Sequence, residues 1–346
     1  MGADAAPAPV PVGGLRAIAA GALAIAARGD RGVLGVVVET AGSTYRKPGA
    51  LILLDAGGVR AGALSGGCLE ADLEAHAGAV LAAGLAGEAR FDTGGDEDRV
   101  FGSATGCGGS SHVLLLPLPA AASPLRDALL AADACGDALA LALDTAPDRL
   151  GAGTARVGDG PDARRYRFDR AGAAVAGGAP LQAPVEVGVR APAHLLLLGA
   201  GPETRPLLLL TRLLGWRVEL LEHRARWLRF AHGCGVDRVH DAGIAALPGL
   251  VAPARFDAAL VMNHNYDLDA RCLACLARNG PAYIGLLGPR ARCDELLGEL
   301  GSEVARLLHA RLHAPVGLPL GGDGAEAIAL AIVAQLQQHF LRDARG

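Results

Sequence analysis

The sequence predicts an α/β protein of two domains. An N-terminal mixed α/β domain is followed by a C-terminal Rossmann-like domain with a parallel sheet. Three observations carry this. Beyond about residue 191, short apolar runs alternate with glycine turns and helical stretches, as in "HLLLLGAGPETRPLLLLTRLLGWRVELLEHR". That alternation is the pattern of right-handed βαβ units with helices on both faces of one sheet. Before it, strand-like and helix-like segments are joined by Gly-rich loops without the same regularity. The length, 346 residues, suits two domains. The expected divisions are a lead over 1–14, an N-terminal domain over 15–190 and a C-terminal domain over 191–346. The pattern is weakest over 147–183.

The elements follow in order. Leu15 to Arg28 is an Ala-rich amphipathic helix. "GVLGVVVE" is a strand, "TAGSTYRKPG" a loop, "ALILLD" a second strand and "AGGV" a turn. "RAGAL" leads into the Gly-rich turn "SGGC", and a helix runs from Leu69 to Ala83. "FGSATGCGGSSHVLLLPL" is a second Gly-rich loop with a strand from His112. Pro124 to Ala134 reads as a helix and Ala138 to Asp144 as a strand. In the C-terminal half, "FDAALVMNH" is a buried strand, "AYIGLLGPRARC" is strand, turn and helix, and "GAEAIALAIVAQLQQHFL" is a closing amphipathic helix.

Composition narrows the function. The net charge of -4 provides no broad basic field for nucleic acid or anionic lipid. The longest apolar runs are too short to span a bilayer. The N-terminal "MGADAAPAPVPVGG" lacks the basic and apolar segments of a secretory signal. A soluble cytoplasmic protein is expected, with its seven cysteines reduced. There is no Gly-x-Ser-x-Gly elbow for a hydrolase.

Two regions carry candidate chemistry. In "GAGPET", Gly199 and Gly201 are the first two glycines of a dinucleotide fingerprint, and Glu222 ends the next strand where a ribose-binding acid stands. Thr204 occupies the third position and is expected to loosen helix–strand packing. His264, at a later strand end, is placed to reach the crevice. Asp267 or Asp269 reads as a helix cap, and Cys272-x-x-Cys275 as one-faced helix packing, because no second pair completes a zinc site.

In the N-terminal half, Cys68 lies in "GGCLE" and Cys107 in "TGCGG", both in Gly-rich turns beside strands. Two thiols in matching surroundings suggest a soft-metal or sulfur-handling site, with Gly66 and Gly67 allowing close approach and Glu70 near in sequence. Ser43 and Arg46, in "GSTYRKPG", supply donors for an oxyanion.

Taken together, "GSTYRKPGA", "LSGGCLEADLEAHA", "GCGG", "LLLLGAGPETRPL", "LGWRVELLEHR", "VMNHNYDLD", "AYIGLLGPR" and "HAPVGLPLG" resemble the XdhC/CoxI family of molybdenum-enzyme accessory proteins over most of the chain. Pro202, Thr204 and Pro289 depart from residues common in relatives. The resemblance implies a chaperone, without turnover of its own, that binds the molybdenum cofactor (molybdopterin) as cargo. It implies help with sulfuration by a cysteine desulfurase and insertion into a xanthine dehydrogenase-type hydroxylase. Under this reading Cys68 and Cys107 hold the metal end or relay sulfur, a nucleotide is expected at the Gly199 turn, and the protein is a homodimer. The alternatives are an NAD(P)-dependent Rossmann oxidoreductase and a nucleotide-binding regulatory module without chemistry.

Overall fold

The computed structural model describes residues 13–67, 69–92, 108–176, 180–232, 235–252 and 255–342. The chain divides into two units, Gly13–Pro192 and the part from Ala193 onward.

The first unit is built on a five-stranded antiparallel sheet. Its strands are β1 (Gly32–Gly42), β2 (Leu51–Asp55), β3 (Gly58–Gly62), β4 (Gly87–Asp92) and β5 (Gly109–Leu118), in the order β3-β2-β1-β5-β4. Strands covered on both faces read as unbroken apolar runs, and β1 and β2 do so. Val33, Val37, Ile52 and Leu54 meet Leu73, Ala77 and Val80 of helix α2 (Glu70–Ala83). Leu34, Val36, Leu51 and Leu53 face the opposite way. They pack with Leu15, Ile18 and Ile25 of α1 (Gly14–Ala27) and with Leu125 and Leu129 of α3 (Pro124–Cys135). Helix α3 begins by the expected chemistry: Ser123 accepts from the Arg126 amide, and Pro124 stands at the first turn.

The weakly patterned stretch contributes to a second antiparallel sheet in the same unit. Its strands are β6 (Leu139–Asp144), β7 (Gly153–Val157), β8 (Arg164–Phe168) and β9 (Pro184–Val189), in the order β8-β7-β6-β9. Leu139, Leu141, Leu143, Ala155, Val157, Phe168 and Val187 point into the core that α1 and α3 share.

The second unit is a six-stranded parallel sheet of β10 (His194–Leu198), β11 (Arg217–Glu222), β12 (Arg238–Asp241), β13 (Ala258–Val261), β14 (Tyr283–Leu286) and β15 (Leu312–His313). The order is β12-β11-β10-β13-β14-β15. Its helices are α4 (Thr204–Leu213), α5 (Ala225–His232), α6 (Leu247–Val251), α7 (Tyr266–Asn279), α8 (Arg290–Leu308, broken at Gly301) and α9 (Ala325–Arg342). One face packs on Leu207 and Leu208 of α4 and Ile332 and Leu336 of α9. The other packs on Leu247 of α6, Leu273 and Leu276 of α7 and Leu296 of α8. Strand order reverses between β10 and β13, and open α/β sheets place their crevice at that point. No described helix is long and apolar enough to cross a membrane.

Candidate functional site

Sheet register brings the described N-terminal candidates to one end of the five-stranded sheet. Strand β1 ends at Gly42, which pairs with Gly109 at the start of β5. Strand β2 begins at Leu51 beside Val36, and β3 ends at Gly62 beside Ile52. The end of β1, the end of β3 and the start of β5 therefore lie at the same edge. A register shift between Val37 and Glu39 lies where β1 turns from buried to largely exposed, and bulges of this kind commonly re-aim a strand next to a site. At the edge the backbones lie close: a Cβ on Gly109 would sit 2.7 Å from the Ala41 carbonyl oxygen.

The loop after β3 winds around Ser65. Its Oγ accepts from the amides of Gly67 and Leu69, each at 3.1 Å, and donates to Glu70 Oε2. The Ser65 amide donates to Glu70 Oε1 at 3.2 Å. Glu70 is thus a loop-closing group at the start of α2. Burial pushes its carboxyl upward, but the Ser65 hydroxyl and amide bonds outweigh this and leave it below the ordinary glutamate range. Gly67 has φ +113, a conformation that favours glycine. Among the described residues, a Cβ added at Gly66 or Gly67 would meet nothing within 4 Å. No described neighbour excludes a side chain at Gly66.

The loop after β1 is closed by Gly49 donating to Val37 at 2.8 Å, with Lys47 Nζ held on Thr44 Oγ1 at 3.3 Å. Ser43 and Arg46 are exposed. Their side chains have no hydrogen-bonding partner among the described residues. The expected ligands Cys68 and Cys107 lie outside the described residues; Gly67, Leu69 and Gly108 flank them in the chain. Among the described residues no group of three or more His, Cys, Asp and Glu side chains could hold a metal ion. Sequence reasoning missed Ser65. It also missed the buried His112, whose Nε2 lies 2.7 Å from Glu88 Oε2 on the neighbouring strand. Neither has a local signal, since each role depends on loop closure or strand pairing.

In the second unit, Gly199, Gly201, Glu222 and His264 converge at the carboxyl ends of β10, β11 and β13, though not as an open cradle. Glu222 is 2% exposed. Its oxygens accept from the amides of Ala200 (3.0 Å), His223 (2.9 Å) and Arg224 (2.8 Å) and from the Arg224 guanidinium (2.6 and 2.9 Å). Burial raises its carboxyl, but the Arg224 bonds and the two amides beyond the strand prevail and hold it below the usual range. Arg224 also donates to the carbonyls of Asn263 (3.0 Å) and Ala200 (3.1 Å), joining the ends of two strands across the switch point. Thr204 does not loosen the turn. It is fully buried, and its Oγ1 accepts from the Gly201 amide at 2.9 Å. His264 has φ 54, unusual for a residue with a side chain, and its Nε2 lies 3.3 Å from Glu203 Oε2.

The cap of α7 is Asn265, which accepts from the Leu268 amide, and not Asp267 or Asp269. Asp269 is fully buried, where it binds Asn263 and the Arg292 guanidinium. Cys272 belongs to the helix-side core, and burial pushes its thiol up to about 12.

Known proteins are similar to this chain across both units. Residues 195–336 match the XdhC Rossmann domain and residues 25–92 match the XdhC and CoxI family. A protein of Bacillus subtilis, named as a probable xanthine dehydrogenase subunit, is 27% identical over 325 residues, covering 89% of this chain and 93% of that protein. The uncharacterized protein YqeB of Escherichia coli is 29% identical over 149 residues, 42% of this chain and 27% of that one. A crystal structure of a xanthine dehydrogenase from Bacillus halodurans superposes with a TM-score of 0.69 at 25% identity, covering 94% of this chain and 95% of that one. Both family matches fall on segments whose motifs frame the two candidate sites, and the chain belongs to the XdhC and CoxI family.

Proposed function

We propose that this protein is a non-catalytic maturation factor that carries the molybdenum cofactor to a xanthine dehydrogenase-type hydroxylase. The observation that carries the reading is the sheet edge of the first unit. The end of β1, the end of β3 and the start of β5 meet there, no described neighbour fills the space above Gly66 and Gly67, Arg46 and Ser43 are without partners among the described residues, and Cys68 and Cys107 adjoin Gly67 and Gly108 in the chain. Each feature matches one part of such a cargo. Open glycine backbone admits a flat pterin, an arginine suits its phosphate, and thiols suit the soft molybdenum–sulfur end. The relatives named for xanthine dehydrogenase give the client class.

In this reading Cys68 and Cys107 hold the metal end or pass on sulfur received from a cysteine desulfurase, and Ser65 with Glu70 keeps the turn in shape. The protein works as a cytoplasmic homodimer. The test is transfer. Incubated with molybdenum cofactor and the apo-hydroxylase, the protein should raise the recovered hydroxylase activity. Cys68→Ser and Cys107→Ser should abolish that gain at an unchanged melting temperature. Equal recovery with parent and cysteine variants would remove the thiols from the account, and no recovery with the parent would remove the function.

A further inference from the structure

A parallel sheet of this strand order implies, by fold family, a dinucleotide across the switch point. Three features would hold one: free backbone N–H groups in the Gly turn, an acid for the ribose and an apolar cleft for the base. In this chain the acid and the cleft are filled, and of the five amides from Gly199 to Thr204 all but that of Glu203 have an acceptor among the described residues.

The amides of Gly199, Ala200, Gly201 and Thr204 bond to Leu221 O, Glu222 Oε2, Thr204 Oγ1 and Gly201 O. Pro202 has no amide to offer. The room beside Gly201 that a phosphate would use is occupied by side chains. A Cβ there would lie 2.5 Å from Glu203 Oε2 and press on His264 Nε2. Glu203 is 7% exposed, so a phosphate would approach a buried carboxylate. Glu222 points at the turn and is gripped by Arg224. The cleft bounded by Leu198, Leu221, Ala242, Ile244, Asn263 and Cys272 has a volume of about 10 Å³. That is room for one water at most.

We infer that this Rossmann crevice is closed to dinucleotides, and that Glu222 stands in it as an internal anion where other Rossmann proteins bind a nucleotide phosphate. The fingerprint glycines then have a different purpose: they let the chain fold around its own carboxylates. The inference is independent of the cargo reading for the first unit.

The experiment uses the full chain, thermal unfolding and calorimetry. NAD, NADP and ADP-ribose should leave the melting temperature of the parent unchanged and give no saturable heat, because a ligand that binds the native state must raise it. Glu222→Ala removes the acceptor for three amides and a guanidinium, and should melt lower. Inorganic phosphate should recover part of that loss in the variant and do nothing for the parent. Glu222→Ser offers the same vacancy should the alanine variant not fold. Saturable binding of a dinucleotide by the parent, weakened by Gly201→Val, would overturn the inference. So would Glu222 variants whose melting takes no benefit from phosphate.

Discussion

Replacing Gly199 and Gly201 by alanine, one at a time, separates two readings of the same motif. A phosphate cradle needs both glycines for ligand approach. The structure assigns them different neighbours. At Gly199 an added Cβ would lie 2.6 Å from Asn263 Cα, and the residue has φ +87. Backbone cannot swing aside, so Gly199→Ala combines overpacking, about 1–3 kcal/mol, with about 1–2 kcal/mol for a side chain in the left-handed region. The sum, about 3 kcal/mol, corresponds to a loss of roughly 6–12 °C for a unit of this size. At Gly201 the obstructing atoms are the ends of the Glu203 and His264 side chains, and His264 is 44% exposed. The imidazole can turn into solvent at the cost of its contact with Glu203. Gly201→Ala should therefore cost about 1 kcal/mol, or roughly 2–4 °C. Scanning calorimetry on the full chain measures both. His264→Ala should shrink the Gly201→Ala penalty, since neighbours that share a clash do not add. Equal losses at the two glycines, or a Gly201 penalty untouched by His264→Ala, would refute the assignment.

Further outcomes follow from the same geometry. Ser65→Ala removes the acceptor for two amides and the donor to Glu70. It should lower stability by about 1–2 kcal/mol in denaturant titration; no loss would take Ser65 out of the loop. Glu219, held by His194, His240 and Arg255, has its carboxyl drawn down to about 2 against an ordinary 4.5 although burial opposes this. Its contribution, at most about 3 kcal/mol, is complete above pH 4.5 and is lost as pH falls toward 2. Glu219→Gln should flatten that limb of the stability curve, and an unchanged acid slope would contradict the pairing. Iodoacetamide with mass spectrometry should label the exposed Cys135 well before the buried Cys272 and Cys293; Cys272 labelled first in the native state would contradict its place in the core.

Much of the second unit is legible in the sequence because parallel strands buried on both faces leave continuous apolar runs. "HLLLL", "AALV" and "YIGL" each stand as a strand, and each is followed by a turn and a helix. The first unit is less so. Strand β4, "GEARFD", buries only Ala89, and β8, "RRYRF", buries only Phe168, so neither shows a clear period of two. The position of Glu222 at the end of β11 is visible in the sequence, but the direction of its carboxylate is not. That depends on Arg224 two residues on and on the turn after β10, which meet only when the strands pair. Thr204 shows the same limit. As a bulky third residue it reads as an obstacle, whereas its hydroxyl supplies the acceptor for Gly201. Ser65 is overshadowed in sequence by the neighbouring glycines and Cys68, and only the closed loop reveals it as the hub.

Whether the protein carries a molybdenum pterin is decided by the pterin content of the purified chain. Full-length protein, isolated from cells making the cofactor and its client hydroxylase, is denatured in acid and oxidised. The released pterin is read by fluorescence and the metal by elemental analysis. A cofactor carrier should release a fluorescent pterin from the parent chain and none from Cys68→Ser or Cys107→Ser. A parent chain free of pterin and molybdenum, or one carrying a nicotinamide nucleotide in their place, would contradict the proposed function.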